Sequence, residues 1–160
     1  MCLTCNIIES NVMPVGGIIY KDDSVILHHC IDQDIPGYLI ISPVRHVEAY
    51  GDLDQAEILR MGMIIKLSVA ALKMIKGVDK VYVANFGEET AHFHMHIFPR
   101  YQWMLKYHAE DICTDSKVDG AKLFSFCRKQ NKIKSDFKQE GEILAATEHV
   151  KTCIAAEGII

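Results

Sequence analysis

A seven-residue run near the middle of the chain alternates histidine with apolar residues, and it constrains the fold more than any other segment. It spans residues 92–98 and reads His-Phe-His-Met-His-Ile-Phe. Side chains of a β-strand point alternately to the two faces of a sheet. We therefore predict a strand over residues 91–98 that carries three imidazoles on one face. Its other face directs Phe93, Met95 and Ile97 into the core.

Three neighbouring imidazoles allow two kinds of chemistry. Neutral imidazole is the commonest metal ligand among protein side chains, and zinc is a frequent partner. A histidine nitrogen can also attack phosphorus covalently, while adjacent imidazoles donate hydrogen bonds to phosphate oxygens. The alternative is that His92, His94 and His96 are incidental polar residues on a solvated face. Strict alternation of three of the chain's eight histidines argues against that alternative.

The remaining sequence predicts an α+β fold with one long helix and a helical C-terminal extension. Apolar runs bounded by turn residues predict strands at residues 13–20, 24–31, 38–42 and 81–86. Asp52 and Gln55 fit a capping box for a helix that runs to about Ile75, with Gly77 as its C-cap. Two further helices are predicted near residues 117–129 and 136–156.

Composition and charge exclude several classes of protein. The chain has 160 residues and a formal net charge of -4, which argues against coating a nucleic acid polymer but permits one bound nucleotide. No run of about 18 apolar residues predicts a membrane span, and the N-terminus lacks a signal-peptide pattern. We expect a cytoplasmic protein with reduced thiols. The basic residues Arg128, Lys129, Lys132 and Lys134 are interpreted as a solvated helix end or loop.

Residues 92–98 also resemble the signature of the histidine triad (HIT) family, His-φ-His-φ-His-φ-φ with φ apolar. The flanking sequence adds to the resemblance, at Cys2 to Cys5 (Cys-x-x-Cys), Pro36 to His46 (strand-Pro-x-x-His), Asn85 to Gly87 and Pro99-Arg100. The resemblance extends over about residues 2–103 and does not include the C-terminal third.

This resemblance implies a HIT-like antiparallel sheet in a domain of residues 1–103. The helical extension at residues 104–160 would pack on that domain or on a second subunit. The family also implies a homodimer without an organic cofactor. Its members are nucleotide hydrolases or nucleotidyl transferases, which attack the α-phosphate of a nucleoside phosphate ester, anhydride or phosphoramidate.

The same resemblance implies separate roles for the histidines. His94 would be the nucleophile that carries the nucleotidyl group, and His96 would bind phosphate oxygens. His92 would support the leaving group or have a structural role. His28 and His29 would lie near the base and ribose, although a plain surface position is the alternative.

Three further residues are candidates for binding the substrate. Asn85 resembles a family residue near the ribose-phosphate, and Thr90 is a hydrogen-bond donor in the short loop of residues 85–92. Tyr38 stands where many members carry histidine, and its hydroxyl can still form hydrogen bonds. The loop lacks the Gly-Gln stretch that several branches of the family use against phosphate.

Cys2 and Cys5 have the Cys-x2-Cys spacing of zinc ligands. A closed tetrahedral site needs two more ligands, and zinc-binding members of the family imply His46 and His92. Such a structural zinc would tie the N-terminus to the edge of the triad strand. The alternative is that both cysteines are ordinary small apolar residues.

Two rival functions stay open from sequence. The chain could be a non-catalytic module that binds a nucleotide or zinc. It could also bind a catalytic metal through all three histidines, as other folds with His-x-His strands do.

Overall fold

A five-stranded antiparallel sheet forms the centre of the computed structural model, which describes residues 2–130 and 137–158. The strands are β1 (Ile18–Lys21), β2 (Val25–His29), β3 (Leu39–Pro43), β4 (Val78–Ala84) and β5 (Met95–Tyr101). Their spatial order is β1-β2-β3-β5-β4, and every neighbouring pair is antiparallel. The predicted α+β class with an antiparallel sheet is therefore confirmed.

Helices surround this sheet. They are α1 (Leu3–Ile8), α2 (Gln55–Lys73), α3 (Ala109–Ile112), α4 (Gly120–Gln130) and α5 (Phe137–Ala156). Short 3-10 turns at Tyr50–Asp52 and Gln102–Lys106, and a hairpin of β6 (Cys113–Thr114) and β7 (Lys117–Val118), complete the described elements. Among these helices, none is both long and apolar enough to cross a membrane. The predicted C-terminal helices are present as α4 and α5, whereas α1 and the hairpin were not predicted.

Both faces of the sheet are covered, so the sheet is a middle layer. Leu27, Ile41 and Ile97 on one face pack with Ile64 of α2 and Val150 of α5. On the other face, a second apolar cluster joins the sheet to α4; its members include Ile40, Phe98, Leu123, Phe124 and Cys127. Because side chains alternate along β5, His96 lies on the side that α4 covers.

The strand that carries the triad begins later than predicted. β5 starts at Met95, and the backbone N–H of Phe93 donates to the Val47 carbonyl at 2.7 Å instead of joining the strand ladder. Phe93 and Ile97 are buried in the core and Met95 packs against it, as the alternation predicted. Only the third histidine of the run is therefore held in regular sheet.

The N-terminus of α2 lies two residues beyond the predicted one. Asp54 is the N-cap: its carboxylate accepts from the Glu57 N–H at 2.8 Å, and the Glu57 carboxylate accepts from the Asp54 N–H at 2.8 Å. The predicted capping box of Asp52 and Gln55 was wrong. Glu57 is buried and also binds Arg45, so a tertiary contact selects this cap.

Two other boundaries also differ from the prediction. β1 begins at Ile18 because Gly16 and Gly17 have φ angles of 79° and 72°, which are left-handed and interrupt an extended strand. Helix α2 ends at Lys73, about one half-turn early, and Met74 is its C-cap. Gly77, with φ of 90°, lies in the turn into β4 instead of at the predicted C-cap.

Replacing Asp54 with alanine is expected to lower the free energy of unfolding by about 1 kcal/mol, because the Glu57 N–H loses its acceptor. The matched control is Asp52→Ala, whose exposed side chain has no capping role. We expect the control to change stability by less than about 0.5 kcal/mol. Urea unfolding of both variants measures the difference, and equal losses would contradict the assignment of the cap.

Candidate active site and metal-binding cluster

The three histidines of the run fall into two environments. His92 is fully buried and faces the N-terminal cysteines. His94 and His96 line a cavity of about 560 Å³ on the α4 side of the sheet. The centroids of the His94 and His96 rings lie 4.9 Å apart with an interplanar angle of 78°. The chain thus separates one histidine from the pair that faces the cavity.

Four predicted metal ligands converge next to this cavity. The Nδ1 of His92 lies 3.6 Å from the Sγ of Cys2 and 3.6 Å from the Sγ of Cys5. The Nδ1 of His46 lies 3.3 Å from the Sγ of Cys5. The potential ligand atoms of Cys2, Cys5, His46 and His92 all lie within 4.8 Å of one another. The structure therefore brings together the residues that the sequence singled out for zinc.

An oxygen acceptor lies near the far nitrogen of each histidine in this cluster, and His92 forms a hydrogen bond with its acceptor. The Nε2 of His92 lies 3.0 Å from the Pro43 carbonyl, which can only accept, so Nε2 carries the proton and Nδ1 presents a lone pair to the thiols. Burial lowers the pKa of His92, which favours this neutral form. The Nε2 of His46 faces the Glu48 carboxylate at 3.6 Å. Metal-binding histidines are usually held in this way by an oxygen acceptor on the far nitrogen.

The donor set also fits the preferences of zinc. Four ligand atoms held tetrahedrally at about 2.1–2.3 Å from an ion lie roughly 3.5 Å from one another. The distances of 3.3 and 3.6 Å between the sulfur and nitrogen atoms match that spacing. Two thiolates and two imidazoles form a common set for structural zinc. Both sulfurs lie at the start of α1, where Cys2 is the N-cap and Cys5 is in the first turn.

The ring of His94 is held by the backbone of its own loop. Its Nδ1 lies 2.9 Å from the His92 carbonyl, so Nδ1 carries the proton and Nε2 keeps a free lone pair. The side-chain amide of Asn85 donates to the His94 carbonyl at 2.6 Å. The first bond orients the His94 ring, and the second holds the backbone of the loop before β5. Asn85 thus contacts the triad backbone.

His96 is held from behind by Tyr38. The Tyr38 hydroxyl lies 2.9 Å from the Nδ1 of His96, and the guanidinium of Arg128 donates to that hydroxyl at 2.7 Å. Burial lowers the pKa of His96 to about 3, and the charges of His94 and Arg128 act in the same direction. His96 is therefore neutral at physiological pH. Tyr38 itself is fully buried.

Several elements form the walls of the cavity. They include α1, the end of β2 and the loop after it, the loop before β5, and α4, through residues such as Ile7, His28, Gln33, Thr90 and Phe124. Of the three residues predicted to bind substrate, Thr90 lines the cavity. Tyr38 and Asn85 instead contact the histidines. The sequence predicted no helix at the position of α1 and gave α4 no role in the site. The part of the cavity wall that these two helices form was therefore not predicted.

Arg128 is the clearest correction to the sequence interpretation. It was read as part of a solvated basic run, yet its side chain is only 18% exposed and forms ion pairs with Asp32 and Glu89. Lys129 is exposed as expected, and Lys132 and Lys134 lie outside the described residues. Phe124 and Arg128 stand at positions i and i+4 of a helix, so they lie on the same side of it. This spacing was the signal that could have placed Arg128 beside an apolar face.

Two buried acceptors in the cavity wall have no partner among the described residues. The Nδ1 of His28 donates to the His29 carbonyl at 2.8 Å, which leaves Nε2 as an unpaired acceptor. The side-chain amide of Gln33 donates to the Arg128 carbonyl at 3.1 Å, and its Oε1 is unpaired. Buried polar atoms normally have partners. His28 and Gln33 line the cavity, and these two unpaired atoms are buried beneath its surface.

Neutral, buried His28 is expected to make the protein sensitive to acid. Burial lowers the pKa of His28 from 6.5 to about 4, and the charges of His29 and His94 add to this. As the pH falls, the unfolded chain takes up a proton on His28 before the folded protein does. The stability that neutral His28 contributes is therefore complete above pH 6.5 and is lost as the pH falls toward 4. At about 1.4 kcal/mol per pH unit, the loss in unfolding free energy reaches about 3 kcal/mol.

Urea unfolding across this pH range tests the expectation. His28→Gln is expected to flatten the pH dependence, whereas His108→Gln, at an exposed position, leaves it unchanged. A slope that is the same in the wild type and in His28→Gln would show that His28 is not the titrating group.

Comparisons with known proteins agree with this architecture. The HIT domain family matches residues 16–103. An uncharacterized HIT-like protein from Methanocaldococcus jannaschii is 28% identical over 107 residues, which cover 64% of this chain and 81% of that protein. The region that the family matches, residues 16–103, contains the five-stranded sheet, α2 and the triad.

Solved structures share the fold over nearly the whole chain. A Zn-bound histidine triad family protein from Mycobacterium smegmatis has a TM-score of 0.65 at 14% identity, with 98% of this chain and 95% of that chain covered. A hypothetical histidine triad nucleotide-binding protein from Sulfolobus tokodaii has a TM-score of 0.63 at 16% identity, with coverage of 97% and 93%. These similarities extend the shared fold into the C-terminal helices.

Proposed function

Because this chain belongs to the HIT domain family, we propose that it is a nucleotide hydrolase or nucleotidyl transferase. His94 attacks the α-phosphate of a nucleoside phosphate ester, anhydride or phosphoramidate. The observation that carries the proposal is the geometry of His94. Its Nδ1 is bound to the His92 carbonyl at 2.9 Å, so the lone pair of Nε2 is available at the cavity beside His96.

The reaction has two steps. The Nε2 of His94 forms a bond to phosphorus, and the bond from phosphorus to the leaving group breaks with its electron pair on the leaving group, which takes up a proton. Water then attacks the nucleotidyl-histidine and releases one proton, which balances the proton taken up by the leaving group. The bond from phosphorus to nitrogen breaks, and its electron pair returns to His94. A phosphate acceptor in place of water gives the transferase reaction. His96 stabilises the charge on the phosphate oxygens by donating a hydrogen bond.

The cavity accommodates the nucleoside part of the substrate. His28 and Gln33 add polar side chains to the cavity wall. The ring of Phe124, which packs against His96 and Phe86, adds an apolar surface at the same place. Thr90 supplies a hydroxyl in the loop near His94.

We further propose that Cys2, Cys5, His46 and His92 hold a structural zinc ion. With four protein ligands the site is closed, and the metal acts as a crosslink. A zinc ion at this position favours a structural role for His92 over support of the leaving group. The ion would join α1, which lines the cavity, to the loop that carries His94. The homodimeric state implied by the family and the cytoplasmic location expected from the sequence stay predictions.

The position of His92 argues against a catalytic metal held by all three histidines. One of its nitrogens faces Cys2 and Cys5 and the other is bound to Pro43. Neither nitrogen is available to an ion shared with His94 and His96.

Covalent labelling tests the proposed function. The wild-type protein is incubated with adenine dinucleotides or AMP-amidates labelled in the α-phosphate, quenched in base, and mapped by mass spectrometry. We expect label on His94 that is released by acid, together with turnover of at least one substrate. Tight nucleotide binding with neither label nor turnover across the panel would favour the binding module. Turnover that needs added metal in protein whose circular dichroism is unchanged would favour metal catalysis.

A further inference from the structure

Helix α4 inserts a cation behind the histidine pair. Arg128 lies beyond the region that matches the HIT domain family, residues 16–103. Its guanidinium donates to the Tyr38 hydroxyl at 2.7 Å, to Asp32 at 3.1 Å and to Glu89 at 3.0 Å. Asp32 and Tyr38 lie in the connection between β2 and β3, and Glu89 lies in the loop before β5. The geometry therefore fixes the guanidinium rather than leaving it free in the cavity.

The direction of the next hydrogen bond follows from the chemistry of the groups. A guanidinium has only donors, so the Tyr38 oxygen must accept from Arg128. The hydroxyl has one proton, and the Nδ1 of His96 lies 2.9 Å away. Tyr38 therefore donates that proton to Nδ1, which must be unprotonated. A neutral imidazole with an accepting Nδ1 carries its own proton on Nε2.

We propose that Arg128 is a positioning residue that sets the tautomer of His96 through Tyr38, so that His96 presents an Nε2–H donor to the cavity. The part of this inference that concerns phosphate rests on the proposed function, whereas the tautomer does not. Without Arg128, the Tyr38 hydroxyl can turn and accept from Nδ1. The Nε2 of His96 would then direct a lone pair toward phosphate oxygens and repel them.

The charge of Arg128 supports an indirect role. Two carboxylates, Asp32 and Glu89, pair with the guanidinium. Its centre also lies 5.9 Å from the ring centroids of Tyr38 and Phe124. A cation that is already paired in this way gains little by replacing its partners with phosphate. We therefore expect Arg128 to affect the turnover step more than substrate binding.

Nitrogen NMR of histidine side chains tests the tautomer directly. Long-range proton–nitrogen correlations on protein labelled with ¹⁵N-histidine distinguish protonated from unprotonated ring nitrogens. In the wild type, we expect His96 to show an unprotonated Nδ1 and a protonated Nε2. Arg128→Met and Tyr38→Phe are expected to mix or invert the two forms. Arg128→Lys should restore the wild-type pattern because lysine also only donates.

The matched control is Lys122→Met, which removes another cation of α4, one that donates to backbone carbonyls away from the cavity. It is expected to leave the His96 spectrum unchanged. A wild-type His96 protonated on Nδ1, or an unchanged tautomer in Arg128→Met, would overturn the inference. If Arg128→Met does not fold, Tyr38→Phe gives the same test from the other side of the bond.

Kinetics provide the second readout. Loss of one oriented donor typically lowers kcat by about a hundredfold. We expect that loss in Arg128→Met with KM changed by less than about threefold, and recovery in Arg128→Lys. A raised KM with unchanged kcat would make Arg128 a direct phosphate ligand and overturn the positioning role. If the wild type turns over no nucleotide, the proposed function fails while the NMR result still decides the tautomer.

Discussion

Replacing His94 with alanine is expected to lower turnover by at least about a thousandfold, or about 4 kcal/mol of transition-state stabilisation. The substitution removes the nitrogen that we propose forms the covalent bond, while the His92 carbonyl and Asn85 remain in place. The rest of the cavity wall stays in place, so substrate binding is expected to change much less than kcat. Steady-state kinetics and the absence of covalent label measure the two effects.

The control is His108→Ala, which removes an exposed imidazole at the start of α3. It should retain wild-type turnover. His94→Gly with added imidazole provides a stricter test, because free imidazole can occupy the vacated space and restore part of the rate. Full turnover by His94→Ala on every substrate that the wild type accepts would remove His94 from the mechanism.

The faces of the triad segment were predictable because the signal is local. Alternation with period two placed Phe93 and Ile97 in the core and left His94 and His96 on the opposite side. The start of β5 was not predictable in the same way. The strand pairs with β3 only from Met95 onward, so a partner distant in sequence sets the boundary.

The start of α2 shows a second limit. Asp52 and Asp54 are both plausible N-caps, and local propensity does not distinguish them. The structure selects Asp54 because Glu57, three residues later, also receives two hydrogen bonds from Arg45, at 3.1 and 2.8 Å. That pair holds the segment leading to His46, so the cap and the cysteine–histidine cluster are linked by a contact that sequence spacing does not reveal.

The part of the site that α4 supplies could be identified only from the folded structure. Arg128 meets Tyr38 across 90 positions of sequence, and Phe124 reaches His96 from the same helix. Helical spacing places Arg128 on the same side of a helix as Phe124, but this spacing alone does not show which side of the helix packs on the sheet. The packing of α4 on the sheet makes this distinction, and the resemblance that predicted the triad did not extend to it.

Removing zinc is expected to destabilise the protein by about 4 kcal/mol at a free zinc concentration near a thousand times Kd. For a chain of this size, the corresponding fall in Tm is roughly 10 °C. The physical reason is that the ion would crosslink α1, which is only six residues long, to residues 46 and 92. Metal analysis of protein purified without chelator should find about one equivalent of zinc.

Cys5→Ser tests the site within the chain, because the Cys5 sulfur lies near both His46 and His92. We expect it to lose zinc and to reproduce the fall in Tm, whereas Cys113→Ser, at another partly buried free cysteine, should retain both. Since Leu3 and Ile7 of α1 line the cavity, zinc loss should also raise KM for nucleotides more than it lowers kcat. Less than a tenth of an equivalent of zinc in the wild type would contradict the site, and Cys2 and Cys5 would then act only through packing.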